Sequence, residues 1–169
     1  LTEWSISLEL ERNRFIICTG GGPGIMEAAN KGAKSAGGYS MGLNISLPYE
    51  QNINPFVTPQ LSFEFHYFFM RKFWFAYLSK ALIVFPGGFG TLDELFEILT
   101  LNQTGKIKKH LLIVVYDEKY WKKLINFDLL VENGMINKND LNYFVFCNST
   151  KTAFETIKQH FEKYYLKKK

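Results

Sequence analysis

A chain of 169 residues that is 47% hydrophobic and 17% aromatic can bury a core of its own, which excludes a disordered chain and fits a single domain over residues 1–169. Its formal net charge of +4 comes from scattered basic residues rather than a stripe, so no nucleic-acid partner is expected. The most apolar segment, Tyr67 to Leu78, is broken by Arg71 and Lys72 and falls short of the ~20 apolar residues of a membrane span. Two cysteines, Cys18 and Cys147, without metal-ligand spacing point to a reducing, cytoplasmic setting and to no metal site.

In chain order, Trp4, Ile6, Leu8 and Leu10, followed by Glu9, Glu11 and Arg12, predict an opening helix that ends near Asn13. A strand ordinarily precedes such a helix, and it is expected upstream of Leu1 or to be absent. Phe15 to Cys18 is a short apolar strand leading into Thr19, Gly20, Gly21, Gly22, Pro23 and Gly24. A helix starting at Pro23 or Gly24 is expected to turn Ile25, Ala28, Ala29, Gly32 and Ala33 inward. Gly37 and Gly38 end it, and Tyr39 to Ile45 is the next strand, small at Met41 and Gly42. Pro48 to Pro59 reads as a loop long enough to lie over a site, and Leu61 to Phe65 as a strand. His66 to Lys80 is apolar nearly all round, as a helix covered by the domain and by a second copy would be. The aromatic residues Phe63, Phe65, Tyr67, Phe68, Phe69, Phe73, Trp74 and Phe75 are accordingly expected in core and dimer surface.

The stretch Ala81 to Leu95 carries the strongest local signal. Its apolar run suits a strand buried on both faces, Pro86 stops it, and Gly87, Gly88 and Gly90 leave main-chain N–H groups unshielded where a helix begins. Thr91 is the expected cap, Asp93 and Glu94 fall in the expected first turn, and Leu92, Leu95, Phe96 and Leu99 form one face. A strand, a glycine turn and a helix N-terminus together meet the physical requirement for holding a phosphate. Beyond it, Leu111 to Tyr116 is a strand, Tyr120 to Asn133 a helix, Tyr143 to Cys147 a last strand, and Thr150 or Thr152 the start of a C-terminal helix rich in lysine near its end. Alternating strands and helices give an α/β fold with a parallel sheet, helices on both faces and the site at the strands' C-terminal edge.

The dinucleotide pattern G-x-G-x-x-G fails, because it demands glycine at Ile25 or at Glu27, and no Gly-Lys-Ser or Gly-Lys-Thr follows either turn. A mononucleotide or sugar phosphate remains. The segments TGGGPGIMEAANKGA (Thr19 to Ala33), Met70-Arg71-Lys72 and PGGFGTLDE (Pro86 to Glu94) resemble, in order, the signature set of the LOG (LONELY GUY) family, over about residues 14 to 135. That resemblance implies a Rossmann-like homodimer, without cofactor, that splits a nucleoside 5′-monophosphate such as AMP or a cytokinin riboside monophosphate into free base and ribose 5-phosphate. It places the family's essential arginine on Arg71 and its essential glutamate on Glu94. Gly87, Gly88, Gly90 and Thr91 fall around the phosphate, and Gly21, Gly22, Glu27, Met70 and Lys72 are further substrate-binding candidates. The family's opening strand and its glycine-serine turn are not seen in this chain.

Cleavage of an N-glycosidic bond passes through an oxocarbenium-like state, which a carboxylate beside the ribose stabilises. Glu94 fits that role. The competing reading is a capping box, Thr91-Leu92-Asp93-Glu94, in which Glu94 only bonds back to the helix start. Arg71 suits a phosphate or carboxylate, or else snorkels past Phe69 and Trp74 as a surface residue. Two rival functions stand beside hydrolysis. One is a nucleotide or cofactor carrier of the same fold. The other is the decarboxylase of the family's older label, a chemistry that usually needs pyridoxal phosphate on a lysine, whereas neither glycine turn holds one.

Overall fold

Two sets of parallel strands organise the described residues, 1–8, 15–46 and 52–166 of the computed structural model, one set in each of the units Leu1–Tyr77 and Leu78–Lys169. The expected Rossmann-like α/β architecture, parallel sheets flanked by helices, is what each unit shows.

In the N-terminal unit, α1 (Thr2–Ser7) stops at Leu8, and the expected helix end near Asn13 lies outside the described residues. The buried hydroxyl of Ser5 donates to the Phe15 carbonyl and accepts the Phe15 N–H, both at 2.9 Å, which ties α1 to the approach to β1 (Ile17–Thr19). β1 pairs in parallel with β2 (Ser40–Ile45), and β2 with β3 (Ser62–Phe65), so that Gly42 stands opposite Thr19 on one side and Ser62 on the other. The crossover from β1 to β2 is α2 (Ile25–Ser35), which starts at a Gly24 cap and gives way to Gly37 at φ 72°. Its inner face differs from the expected one. Ile25, Ala28 and Gly32 are exposed, and Asn30 and Ala33 are the buried positions. The stripe is shifted because the amide of Asn30, a polar group expected outside, turns inward to hydrogen-bond partners.

The C-terminal unit repeats the plan. β4 (Ala81–Val84) pairs in parallel with β5 (Leu112–Tyr116), and β5 with β6 (Phe144–Cys147). Ile113, Val114 and Val115 are wholly buried, as a central parallel strand requires. α4 (Phe89–Gln103) crosses from β4 to β5, burying Leu95 and Ile98, while Phe96, expected inside, is exposed. The helix expected over Tyr120 to Asn133 is two helices, α5 (Glu118–Leu124) and α6 (Phe127–Glu132). Ile125 is extended between them, and the Asn126 side chain accepts the Leu129 N–H, a capping signal strong enough to start a new helix. α7 (Thr150–Tyr164) begins after a Ser149 cap and buries Ala153, Ile157 and Phe161.

The helix α3 (Phe68–Leu78) is the largest departure, because none of its residues is fully buried and Tyr67, Phe69 and Tyr77 are about two-thirds exposed. Phe65 and Phe75 are half-buried, but the remaining rings of the aromatic cluster are exposed and do not form core. Among the described residues no helix is long and apolar enough to cross a membrane.

The end of α7 is locked to the segment before β5 by two histidines. His160 Nε2 lies 3.0 Å from the His110 carbonyl, and the His110 ring stacks on Tyr164 with centroids 4.1 Å apart. Burial holds the His160 imidazole below its ordinary value of 6.5, outweighing the His110 carbonyl, which favours the cation; Lys163 adds a smaller downward push. Below that ordinary value the unfolded chain binds more protons at this position than the folded one, so stability falls as pH drops through the region of about 6.5. His160→Gln, which keeps a donor for the carbonyl, should flatten that fall in urea-unfolding curves recorded between about pH 7 and 5.

Candidate functional site

Both glycine turns lie at the C-terminal ends of parallel strands, after β1 and after β4, where α/β sheets ordinarily bind ligands. In the N-terminal unit the turn is a compact polar assembly. Gly21 takes φ 75°, and its N–H donates to the Thr19 hydroxyl at 3.0 Å. The Gly21 carbonyl accepts from both the main-chain N–H of Asn54 at 2.7 Å and its Nδ2 at 3.0 Å, and the Gly22 carbonyl accepts from the same Nδ2 at 3.1 Å. Asn54 Nδ2 also reaches Asn30 Oδ1 at 2.9 Å, which accepts the Thr19 hydroxyl at 2.8 Å. Asn30 and Asn54 are 0% and 5% exposed, so these bonds serve groups that water does not reach, although the buried Asn30 Nδ2 has no hydrogen-bond partner among the described residues.

Arg71 on α3 comes to this turn. A β-carbon on Gly20 would sit 3.4 Å from an Arg71 terminal nitrogen and 2.9 Å from the Met26 sulfur. The guanidinium lies 5.9 Å from the centre of the Phe68 ring and 5.5 Å from that of Phe75, within cation–π range, and its Nε is buried. This side chain reaches over a main-chain turn rather than snorkelling past Phe69 and Trp74. Its neighbours in sequence differ: Lys72 is half-buried and Met70 is 40% exposed. Glu27 is half-buried in the first turn of α2, whose Gly24 cap makes no side-chain hydrogen bond.

In the C-terminal unit the expected helix start needs correction. The cap of α4 is Gly88, Phe89 and Gly90 open the helix, and Thr91 already lies within it. The capping box from Thr91 to Glu94 is therefore not formed, and Asp93 and Glu94 sit in the second turn rather than the first. Glycine is a weak N-cap signal, and the Thr-x-x-Glu spacing points to a later start. Thr91 folds back onto the turn instead: a β-carbon on Gly87 would collide with its hydroxyl oxygen. The Gly87 carbonyl accepts the Tyr120 hydroxyl at 2.9 Å. Glu94 is half-buried, Gly88 and Gly90 are exposed, and a β-carbon on either glycine would meet nothing within 4 Å.

Each unit thus carries a glycine turn followed by a helix whose N-cap is glycine and makes no side-chain bond. Gly21, Gly22, Glu27, Met70, Arg71 and Lys72 belong to the first unit and Gly87, Gly88, Gly90, Thr91 and Glu94 to the second. Asn30, Asn54 and Tyr120 are the positions that sequence reasoning passed over. Only Asn30 offers a signal, as an amide three residues before Ala33 on a stripe of small residues. Among the described residues no group of histidines, cysteines and carboxylates could hold a metal ion, and Cys18 and Cys147 are free thiols.

The profile of the family described as "Possible lysine decarboxylase" matches residues 26–157. The probable cytokinin riboside 5′-monophosphate phosphoribohydrolase LOG4 of Oryza sativa subsp. japonica is 30% identical over 142 residues, 83% of this chain and 60% of that protein. The cytokinin riboside 5′-monophosphate phosphoribohydrolases LOG4 and LOG3 of Arabidopsis thaliana are each 30% identical, over 88% and 89% of this chain and 67% and 68% of their own length. The chain therefore spans three-fifths to about two-thirds of the length of these relatives.

The close contacts at Gly21 set a local test. Its positive φ disfavours any β-carbon, and one placed there would lie 2.7 Å from Ile53 Cγ1. Gly21→Ala should cost about 1–3 kcal/mol, read from chemical denaturation, because strain and steric conflict act together.

Proposed function

The chain belongs to the LOG family, and from that membership we propose that it hydrolyses the N-glycosidic bond of a nucleoside 5′-monophosphate, releasing the free base and ribose 5-phosphate. The observation that carries the reading is the start of α4. Because Gly88 rather than Thr91 is the cap, Glu94 has no part in a capping box and stands as a half-buried carboxylate one turn beyond the glycine turn. In this reading Gly87, Gly88, Gly90 and Thr91 bind the 5′-phosphate through main-chain N–H groups and a hydroxyl. Glu94 stabilises the positive charge that grows on the ribose as the bond to the base breaks, and it takes the proton from the water that attacks the anomeric carbon. Arg71 chiefly binds and orients the substrate through its donor fork, and Gly21, Gly22, Glu27, Met70 and Lys72 contribute to binding around it. The relatives' names supply the substrate class; a cytokinin riboside monophosphate is one member of it, and AMP is the simplest probe.

The test is release of free adenine. Wild-type protein should liberate it from AMP and leave adenosine intact, because a glycine turn at a helix start serves an anionic group that the nucleoside lacks. Glu94→Gln should lower turnover roughly 100-fold or more while AMP still binds, and Arg71→Ala should weaken binding. AMP that is bound and left intact by the wild type identifies a carrier instead.

The same membership, with the exposed rings of α3, supports a homodimer. Tyr67, Phe69, Phe73 and Tyr77 are each more than half exposed, and a second copy is the occupant that a symmetric assembly supplies for such a row of rings. Light scattering at micromolar concentration should give the mass of a dimer, and a double substitution of Phe69 and Phe73 by Glu should give a monomer.

A further inference from the structure

We propose that Asn54 and Tyr120 are positioning residues for this reaction, each holding back a carbonyl of the glycine turn in its own unit so that the N–H following that carbonyl is free to meet a ligand. The inference rests on the phosphoribohydrolase reading above. Its physical basis is the peptide unit itself. In a trans peptide the C=O and the following N–H point in opposite directions, and no peptide bond in the described residues is cis. Fixing the Gly21 or the Gly87 carbonyl therefore fixes the direction of the Gly22 or the Gly88 N–H, whereas the Gly22 carbonyl precedes Pro23, which has no N–H to direct.

Glycine turns need such fixing more than others do. Residues without a β-carbon rotate between backbone regions at little cost, so a peptide between two glycines can flip and direct its carbonyl at an incoming anion, replacing attraction by repulsion. In the N-terminal unit that flip is opposed by one buried amide. The two hydrogens of Asn54 Nδ2 are shared among the Gly21 carbonyl at 3.0 Å, the Gly22 carbonyl at 3.1 Å and Asn30 Oδ1 at 2.9 Å, and the Asn54 main-chain N–H adds a second bond to Gly21 at 2.7 Å. The Gly22 N–H must then point away from Asn54. The amide cannot turn over, because its Oδ1 accepts the Phe56 N–H at 3.2 Å and its Nδ2 is held by Asn30 Oδ1 at 2.9 Å. The circuit closes through Thr19, whose hydroxyl donates to Asn30 Oδ1 and accepts the Gly21 N–H.

In the C-terminal unit the same task falls to a phenol. Tyr120 donates its hydroxyl to the Gly87 carbonyl at 2.9 Å, which directs the Gly88 N–H the other way, at the cap of α4. Tyr120 is itself set by Asp117, which takes φ 71° and accepts the Tyr120 N–H at 3.2 Å as the cap of α5. Two unrelated side chains, each distant in sequence from the turn it serves, thus make the same kind of bond.

The experiment compares Asn54→Ala, Asn54→Asp and Tyr120→Phe with the wild type in steady-state AMP hydrolysis, calorimetric AMP binding and thermal melting. Loss of one well-directed bond to a charged oxygen corresponds to roughly a tenfold rise in KM or Kd, with kcat changing less. Asn54→Asp should be the most severe of the three, because a carboxylate oxygen would face two carbonyls and favour the flip. Variants that melt earlier yet keep the wild-type KM and Kd would show a merely structural role and overturn the proposal. Should the Asn54 variants fail to fold, Tyr120→Phe, which removes one oxygen atom, decides alone. Wild-type protein that binds AMP without cleaving it would remove the hydrolase reading and leave the clamps to be judged by Kd. Protein that does not bind AMP at all would overturn both.

Discussion

The direction of the peptide groups in the Thr19 to Gly22 turn is the constraint on which the N-terminal unit depends. Holding that direction requires an acceptor and donor set in the interior, and three elements are shaped to provide it. β1 ends on a threonine whose hydroxyl can both donate and accept, α2 turns an asparagine inward, and the segment before β3 returns to place Asn54 beneath the carbonyls. That return is only possible because β2 has no side chain at Gly42. A β-carbon there would meet Ile53 at 3.0 Å and Val57 at 3.1 Å, the residues that seat the returning segment. The buried amides are costly to desolvate, and that cost is offset only in part by the circuit of bonds, since the buried Asn30 Nδ2 stays without a partner among the described residues.

The C-terminal unit meets the same requirement with fewer groups. Its turn has a proline before it, a threonine folded over Gly87 and a tyrosine on the Gly87 carbonyl, while β5 and α7 provide the rigid support: Ile113, Val114, Val115 and Ile157 are buried almost completely. Neither α2 nor α4 begins with a side-chain cap, and nor does α1, whereas α5, α6 and α7 all do. The contrast has a physical meaning. A serine or aspartate cap would satisfy the first N–H groups of the helix and occupy the place of a bound anion, so the two helices that follow glycine turns keep open the dipole end that α5, α6 and α7 have closed.

What was legible in the chain follows from how each signal arises. β1, β2, β4, β5 and β6 were readable within a residue or two because short apolar runs bounded by glycine and proline depend only on nearest neighbours. The start of α4 was not, since a threonine three residues before a glutamate satisfies the capping pattern as well as the true cap does, and Gly88 carries no side chain to announce itself. α2 was placed correctly but rotated, because an asparagine counts as polar in a periodicity argument until its interior partners are known. The division of α5 from α6 turned on Asn126, a single capping side chain inside an otherwise continuous pattern. For α3 the difficulty is of another kind: apolar periodicity reports that surface seeks cover and does not say whether the same unit supplies it.

Arg71 shows how an exposed aromatic helix and a polar site can require one another. A guanidinium is weakly hydrated and planar, so it can rest between rings at a cost that an ammonium would not bear. The Phe68 and Phe75 rings, one on each side in sequence, lie within 5.9 Å of its central carbon and confine the stem, while a terminal nitrogen remains beside Gly20. Lysine in this place would keep the charge and lose both the stacking and the fork. The aromatic character of α3 near Arg71 therefore has a local reason, the orientation of one cation, which is separate from whatever covers the outward rings of Phe69 and Tyr77. The same reasoning explains why Gly20 is glycine although its backbone has no positive φ: the place of its side chain is already taken by Met26 and by the arginine that the turn receives.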